Sequence, residues 1–272
     1  MTLADSLRRA QTLGLERIDA QRRHLLALGR PLGERAWLLA HDTDILNDSV
    51  LGKLEPLLQR RLAGEPMAYI TGQKEFFGLQ LHIDARVLDP RPDTETLVEW
   101  ALELLPDAPD HSVIDLGTGS GAIALALQHA RPLALVSAVD ASADALAVAQ
   151  ANAVRLRLPV HFIHSHWLSD VAGVFDLIVS NPPYIREDDP HLDALSHEPR
   201  QALSSGADGL DDIRQILEQA PTHLEADGWL LLEHGYDQAE AVRGLMTQAS
   251  WKNVHSRQDL AGIERCTGGQ KG

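Results

Sequence analysis

The chain has 272 residues, 44% of them hydrophobic and 23% charged, with 20 Gly and 14 Pro; this balance excludes a disordered or fibrous polymer and leaves length for one large domain or a large and a small one. A formal net charge of −15 disfavours nucleic acid as the main partner, because duplex binding sets cations against phosphates. The single cysteine, Cys266, excludes an internal disulfide and a cysteine-built zinc site and fits a reducing cytoplasm; neither a secretory leader nor a membrane-spanning apolar run is expected.

Residues 1 to about 73 read as helices. Leu3, Leu7 and Ala10, then Leu25, Leu26 and Leu28, fall at helical spacing, and Thr2 and Asp5 are spaced as a capping box. A last helix of this unit carries Leu51, Leu54, Leu58 and Leu62 on one stripe and stops at Gly64, where a left-handed cap is easy; these leucines are expected to be core. Arg22, Arg23, Arg60 and Arg61 form a local basic face at most and are expected to be solvated.

Between Lys74 and Asp89 the period shortens to two, with Leu79, Leu81 and Ile83 on one face and Gly78 after Phe76 and Phe77; this predicts a hairpin joining two domains. From Pro90 onward strands and helices alternate. Strands are expected at 113–116, 134–139, 160–163, 175–180 and 229–233, and helices at 121–130, 142–155, 209–220 and 237–249. That rhythm implies an α/β fold, a parallel sheet covered by helices on both faces.

The first of these strands runs through Asp115 and Leu116 into Gly117, Thr118, Gly119, Ser120 and Gly121, and then directly into an apolar helix. Glycines let the chain turn sharply and let a ligand approach the backbone. The dinucleotide fingerprint places two residues between its second and third glycines, whereas here only Ser120 intervenes, which shifts weight from nicotinamide to S-adenosylmethionine. Asp140 closes the second strand, where a carboxylate accepts hydrogen bonds from ribose hydroxyls; capping the following helix is its alternative role.

After the strand ending at Ser180 come Asn181, Pro182, Pro183 and Tyr184. Strand ends of an open parallel sheet are where ligands bind, so this turn is expected to face the glycine loop. Each residue type has a use on a planar amide nitrogen, whose delocalised lone pair makes it a poor nucleophile. The Asn181 side chain and the Pro182 backbone offer two carbonyl acceptors for one NH₂ group, Pro183 stiffens the turn, and Tyr184 supplies a face for stacking. A proline-rich turn alone is commonplace; a glycine loop, an acid after the second strand and this turn together are not.

With these motifs in place, the chain resembles the PrmC/HemK family of glutamine N5-methyltransferases that act on class 1 peptide chain release factors. Further segments carry the resemblance: Gly64 to Gly72, Glu75 to Leu79, Pro90-Arg91-Pro92-Asp93-Thr94-Glu95, Asp115 to Leu127, Ser180 to Ile185, and Leu230 to Gly235. The Asn-Pro-Pro-Tyr turn is shared with DNA adenine methyltransferases, while the 90–95 segment with a helical N-terminal unit is more specific. The resemblance implies a Rossmann-like S-adenosylmethionine-dependent methyltransferase domain, residues 90–272, with a helical substrate-binding domain, 1–73, joined by a hairpin linker, 74–89. It implies that Asn181 to Tyr184 grip the glutamine of a Gly-Gly-Gln motif. Gly117, Thr118, Gly119, Ser120 and Gly121 would hold the cofactor together with Asn181, Asp140 its ribose, and Trp167 would lie beside the adenine. Class 1 release factors are then the expected partner, with no membrane partner and no direct nucleic acid partner. Glu198-Pro199 and Ala202-Leu203 match a further family stretch, in a loop long enough to meet substrate.

Two departures stand out. His166 occupies a position where the family often has an acid, so the adenine amino group either loses an acceptor or gains a neutral one. The ending contains its own Gly268-Gly269-Gln270, which raises self-methylation at Gln270 as an alternative. His161, His164 and His166 have no carboxylate or thiol nearby in sequence and are not read as metal ligands, and Glu187, Asp188 and Asp189 read as a solvated loop. The competing readings are a nucleic-acid adenine N6-methyltransferase, which needs a basic groove, and a nicotinamide enzyme or silent cofactor-binding module, which the loop spacing disfavours.

Overall fold

A computed structural model describes residues Met1 to Gly272, and the chain divides into two units, Met1–Gln73 and Lys74–Gly272. The first is built from α1 (Leu3–Thr12), α2 (Arg17–Ala27), α3 (Arg35–Ala40), α4 (Asp48–Leu62) and α5 (Met67–Thr71). Thr2 and Asp5 close a reciprocal capping box on α1, and Asn47 caps α4 by accepting from the Val50 N–H. Leu3, Leu25, Leu38 and Leu54 pack as this unit's core.

Three details differ from the sequence reading. On α4 only Leu54 and Leu58 are buried while Leu62 is 44% exposed, so the stripe is narrower than four leucines. This helix is not the last of the unit, since α5 follows. The arginines are not a uniform solvated face either. Arg60 pairs with Glu65 at 2.5 Å and Arg61 with Asp19 at 2.7 Å, whereas Arg23 is buried at 3% exposure. The helical spacing that places Arg23 on the inner side of α2 is set by its packing partners, which local composition does not reveal.

β1 (Gln73–Phe76) and β2 (Leu79–His82) form the hairpin, turning through Phe77 (φ +48) and Gly78 (φ +78). Two successive positive φ values define the primed turn that matches strand twist. Leu79, Leu81 and Ile83 are buried. Residues 74 to 89, read above as a linker, group with the second unit. Asn152 exchanges hydrogen bonds with the His82 backbone at 2.7 and 3.0 Å, and the Arg155 guanidinium donates to the Gln80 carbonyl.

The second unit continues with α6 (Glu95–Leu104), β3 (Ser112–Leu116), α7 (Ala122–Ala130), β4 (Leu135–Asp140), α8 (Ala143–Leu156), β5 (His161–His164) and β6 (Phe175–Ser180). It is completed by α9 (His191–Ala194), α10 (Asp211–Gln219), β7 (Leu224–Glu233), α11 (Ala239–Gln248), β8 (Lys252–Gln258) and β9 (Glu264–Gln270). The seven strands order as β5-β4-β3-β6-β7-β9-β8. The five from β5 to β7 are parallel, and β9 runs antiparallel to both neighbours. The sheet is therefore mixed, not wholly parallel as expected. The β8–β9 hairpin is poorly legible because β8 is mostly polar and β9 ends in two glycines. Those glycines are a packing requirement: a Cβ on Gly268 would stand 2.5 Å from Leu231 Cδ2 and 2.7 Å from Trp100 Cη2.

The strand order reverses between β3 and β6, which pair in register with Leu116 opposite Ser180. Helices cannot cover the same side of the sheet on both flanks of such a point, so a crevice opens at the carboxyl ends of these two strands.

Candidate active site

The bend after β3 needs Gly117 (φ +71), Gly119 (φ +55) and Gly121 (φ +84), all in the left-handed region. It is held from several sides. The Thr118 N–H donates to the Val139 carbonyl at 2.8 Å, and the Thr118 hydroxyl donates to Asp115 Oδ2 at 2.6 Å. That oxygen also accepts from the Ala124 N–H at 3.2 Å, and Asn152 Nδ2 donates to the Ser120 carbonyl at 3.0 Å. Gly121 caps α7, where a Cβ would come within 3.0 Å of Leu125 Cδ1. Asp115 is fully buried, and burial pushes its carboxyl up to about 7.

Beside the bend lies a cavity of 280 Å³ whose walls include Gly117, Gly119, Asp140, Trp167, Asn181 and Pro183. Asp140 Oδ2 accepts from the Gly119 N–H and Oδ1 from the Ser142 N–H, each at 2.8 Å. One carboxylate thus ties the glycine bend to the start of α8 while still bordering the cavity, and Ser142, not Asp140, caps the helix by accepting from the Ala145 N–H. Burial raises the Asp140 carboxyl above its ordinary range. The Trp167 indole donates to Asp212 Oδ1 at 3.2 Å, and its ring lies where a Gly117 Cβ would touch it at 3.2 Å. His166 stands exposed on the wall, its ring 5.9 Å from Trp167. Thr118, Ser120 and Gly121 are buried and do not line this cavity; they shape the bend from behind.

The turn after β6 brings Asn181 to the same cavity and to a smaller adjoining one of 70 Å³, lined by Arg91, Tyr184, Ile185 and Leu203 among others. Leu88, Asn181 and Ala202 border both. Asn181 Nδ2 donates to Thr94 Oγ1 at 3.2 Å, and the buried Glu233 carboxyl lies close enough to both side chains for them to favour its charged form. With its NH₂ group turned to Thr94, the Asn181 carbonyl oxygen is left to accept from a ligand. Pro182 is buried, and the Tyr184 carbonyl accepts from Gln238 Nε2 at 3.0 Å. Burial raises the Tyr184 phenol, which stays neutral. Glu198 pins the wall by accepting from Arg91 at 2.5 Å and from the Asp89 N–H at 3.2 Å.

Thr94, Glu198 and Glu233 are side chains at the site that reading by motif left without roles. All three lie within segments quoted above, and the available signal was an acid or hydroxyl inside an otherwise apolar or proline-fixed run. Glu233 has a testable signature. Burial raises its carboxyl from 4.5 to about 7, so the folded protein keeps a proton that the unfolded chain releases. Its contribution to stability is complete below about 4.5 and lost as pH climbs through about 7. Glu233→Gln removes this titration. The wild-type-minus-variant unfolding free energy, measured by urea denaturation, should fall by on the order of 3 kcal/mol between pH ~4 and ~8. A constant difference over that interval contradicts the assignment.

Gln270 is far from the turn. It pairs with Trp229 and Lys252 across β9, and its amide donates to the Asp227 carbonyl and accepts from Asn253 Nδ2, both at 2.8 Å. Trp229 lies three rows before Leu232, the partner of Ser180, so reaching Asn181 requires stripping β9 from the sheet. Self-methylation within one folded chain has no route.

The chain matches the family model of the methyltransferase small domain over residues 94–208 and that of the PrmC N-terminal domain over residues 7–72. It is 49% identical over 260 residues to the release factor glutamine methyltransferase of Bordetella pertussis, covering 94% of this chain and 95% of that protein. The protein of the same name from Pseudomonas aeruginosa is 48% identical over 258 residues, covering 93% and 92%. Among solved structures, a 16S rRNA N2 G1207 methyltransferase of T. thermophilus, in complex with AdoMet and guanosine, superposes with a TM-score of 0.56. That match spans 74% of this chain and 50% of that one at 18% identity, a likeness of fold.

Proposed function

The chain belongs to the release factor glutamine methyltransferase family, and from that premise we propose that the turn at Asn181 grips the side-chain amide of the glutamine in a release factor's Gly-Gly-Gln motif while the 280 Å³ cavity holds S-adenosylmethionine. The residues present fit that cofactor. Gly119 leaves open space where a Cβ would stand, Asp140 borders the cavity as a ribose acceptor, and Trp167 offers an aromatic wall for adenine. When bound, S-adenosylmethionine supplies an electrophilic sulfonium methyl.

The protein supplies alignment and acceptors. Asn181 Oδ1 and the Pro182 carbonyl accept the two N–H groups of the substrate amide, which orients the nitrogen and favours the charge it develops as the N–C bond forms. The bond that would break is the one from the methyl carbon to the sulfonium sulfur, which would keep the electron pair, and the nitrogen would pass its surplus proton to solvent water. Thr94 and Glu233 act as positioning residues by holding the Asn181 NH₂ group, and Tyr184 provides the stacking face. No general base is required, because the methyl donor is already activated. The single observation that carries this reading is the adjacency of the two bends: Leu116 and Ser180, which precede them, pair directly, and Asn181 borders both cavities.

The helical unit, residues 1–73, is assigned a share in holding the release factor. No helix is long and apolar enough to cross a membrane, and the cytoplasm is the proposed site of action, in keeping with the lone, buried Cys266. Direct nucleic acid binding is not part of this reading, given the net charge of −15. Incubation with labelled S-adenosylmethionine and a purified class 1 release factor should label the factor, and changing its motif glutamine should abolish the label. Label in DNA and in neither protein would establish the adenine methyltransferase reading instead.

A further inference from the structure

Arg23, in the middle of α2, is 3% exposed and its Nε has no hydrogen-bond partner. Burial pulls its pKa down to about 10, which leaves it charged at neutral pH. A buried cation with an idle donor is unfavourable unless something else occupies that donor. Beside it lies a cavity of 140 Å³ between α1, α2 and α4, whose charged lining side chains are Arg9, Arg23 and Glu55, with Met1 also on its wall. That is ample for a small ion, and below the size of a drug-like site.

Glu55 attracts the Arg23 charge but forms no ion pair or hydrogen bond with it. Its carboxylate stands 4.0 Å from Arg9 and accepts from Gln59 Nε2 at 2.9 Å. Ser6 adds no donor either. His24, kept neutral by burial with a pKa of about 4, gives its Nδ1–H to the Ala20 carbonyl at 2.6 Å. Its Nε2 therefore accepts the Ser6 hydroxyl at 2.8 Å. What remains is a guanidinium fork, an aliphatic wall from Leu54 and Leu58, and two cations against one anion.

We infer that this cavity binds a single carboxylate on the Arg23 guanidinium, with Arg9, whose side chain is 62% exposed, at the mouth. A planar carboxylate matches the guanidinium fork, and a monoanion matches the one net positive charge. The carboxylate comes either from a free small acid or from an acidic side chain of a protein partner.

The test is NMR titration of the full chain with sodium acetate against sodium chloride at equal ionic strength, following the Arg23 Nε–H and the α1 and α4 amides. A saturable acetate shift in the millimolar range is expected. Glu55→Gln, on an exposed side chain, removes the lining's only anion and should tighten acetate about threefold or more. Arg23→Gln should weaken it at least ~10-fold. N-acetylglutamate amide binding as tightly as acetate assigns the site to a partner's side chain; acetate binding alone assigns it to a free acid. No saturable shift, an equal shift with chloride, or affinity unchanged or weaker in Glu55→Gln overturns the inference.

Discussion

Asn181→Ala is expected to lower kcat by ~10²–10³-fold or more, the range for deleting one acceptor or donor aimed at developing charge, while the S-adenosylmethionine dissociation constant moves no more than about threefold. The asymmetry follows from where the side chain points. Its NH₂ group is turned to Thr94, so the carbonyl oxygen is the part free to act, and Asn181 borders the small cavity as well as the large one. Alanine deletes the oxygen that orients the nucleophile and removes the donor to Thr94. Single-turnover transfer to the release factor, with calorimetric cofactor binding alongside, separates the two effects. An equal loss of cofactor affinity and turnover would show that Asn181 serves the cofactor, not the amide.

Asp140→Ala is expected to show the opposite pattern. Each hydrogen bond from a ribose hydroxyl to a carboxylate is worth about 1.5–3 kcal/mol, so cofactor affinity should fall by ~10²-fold or more, with kcat at saturating cofactor within about threefold of wild type. Asp140 also accepts from the Gly119 and Ser142 N–H groups, so part of the loss comes from a slackened glycine bend. Asp140→Asn keeps one acceptor oxygen and should fall between. Unchanged cofactor affinity in both variants would leave Asp140 as a brace between the bend and α8 and nothing more.

Much of this site was legible in the sequence because its chemistry is carried by local requirements. The bend from Gly117 to Gly121 demands positive φ at three positions, and only glycine meets that cheaply. The tetrapeptide 181–184 combines an amide, two fixed φ angles and an aromatic ring in four residues. By contrast, Thr94 and Glu233, the positioning residues proposed above, stand beside Asn181 in the fold although they are 87 and 52 positions away in the chain. Nothing local to either distinguishes a positioning role from an ordinary helix start or strand end. Thr118 and Ser120 illustrate the reverse error of scale: the motif contains them, but both are buried away from the cavity, the Thr118 hydroxyl and the Ser120 backbone carbonyl tying the bend to Asp115 and Asn152.

By itself the sequence determined the alternation of strands and helices after Pro90, the hairpin around Gly78, and the residue types of both bends, since each depends on hydrophobic period or backbone sterics within a few residues. The tertiary structure alone decided that β3 and β6 are neighbours at the reversal of strand order, that β8 and β9 close the sheet antiparallel, and that Glu233 and Arg23 are buried with an atom unpaired. Those outcomes depend on which distant segments pack together. Burial and the pairing of charges are properties of that packing, and no window of sequence contains them.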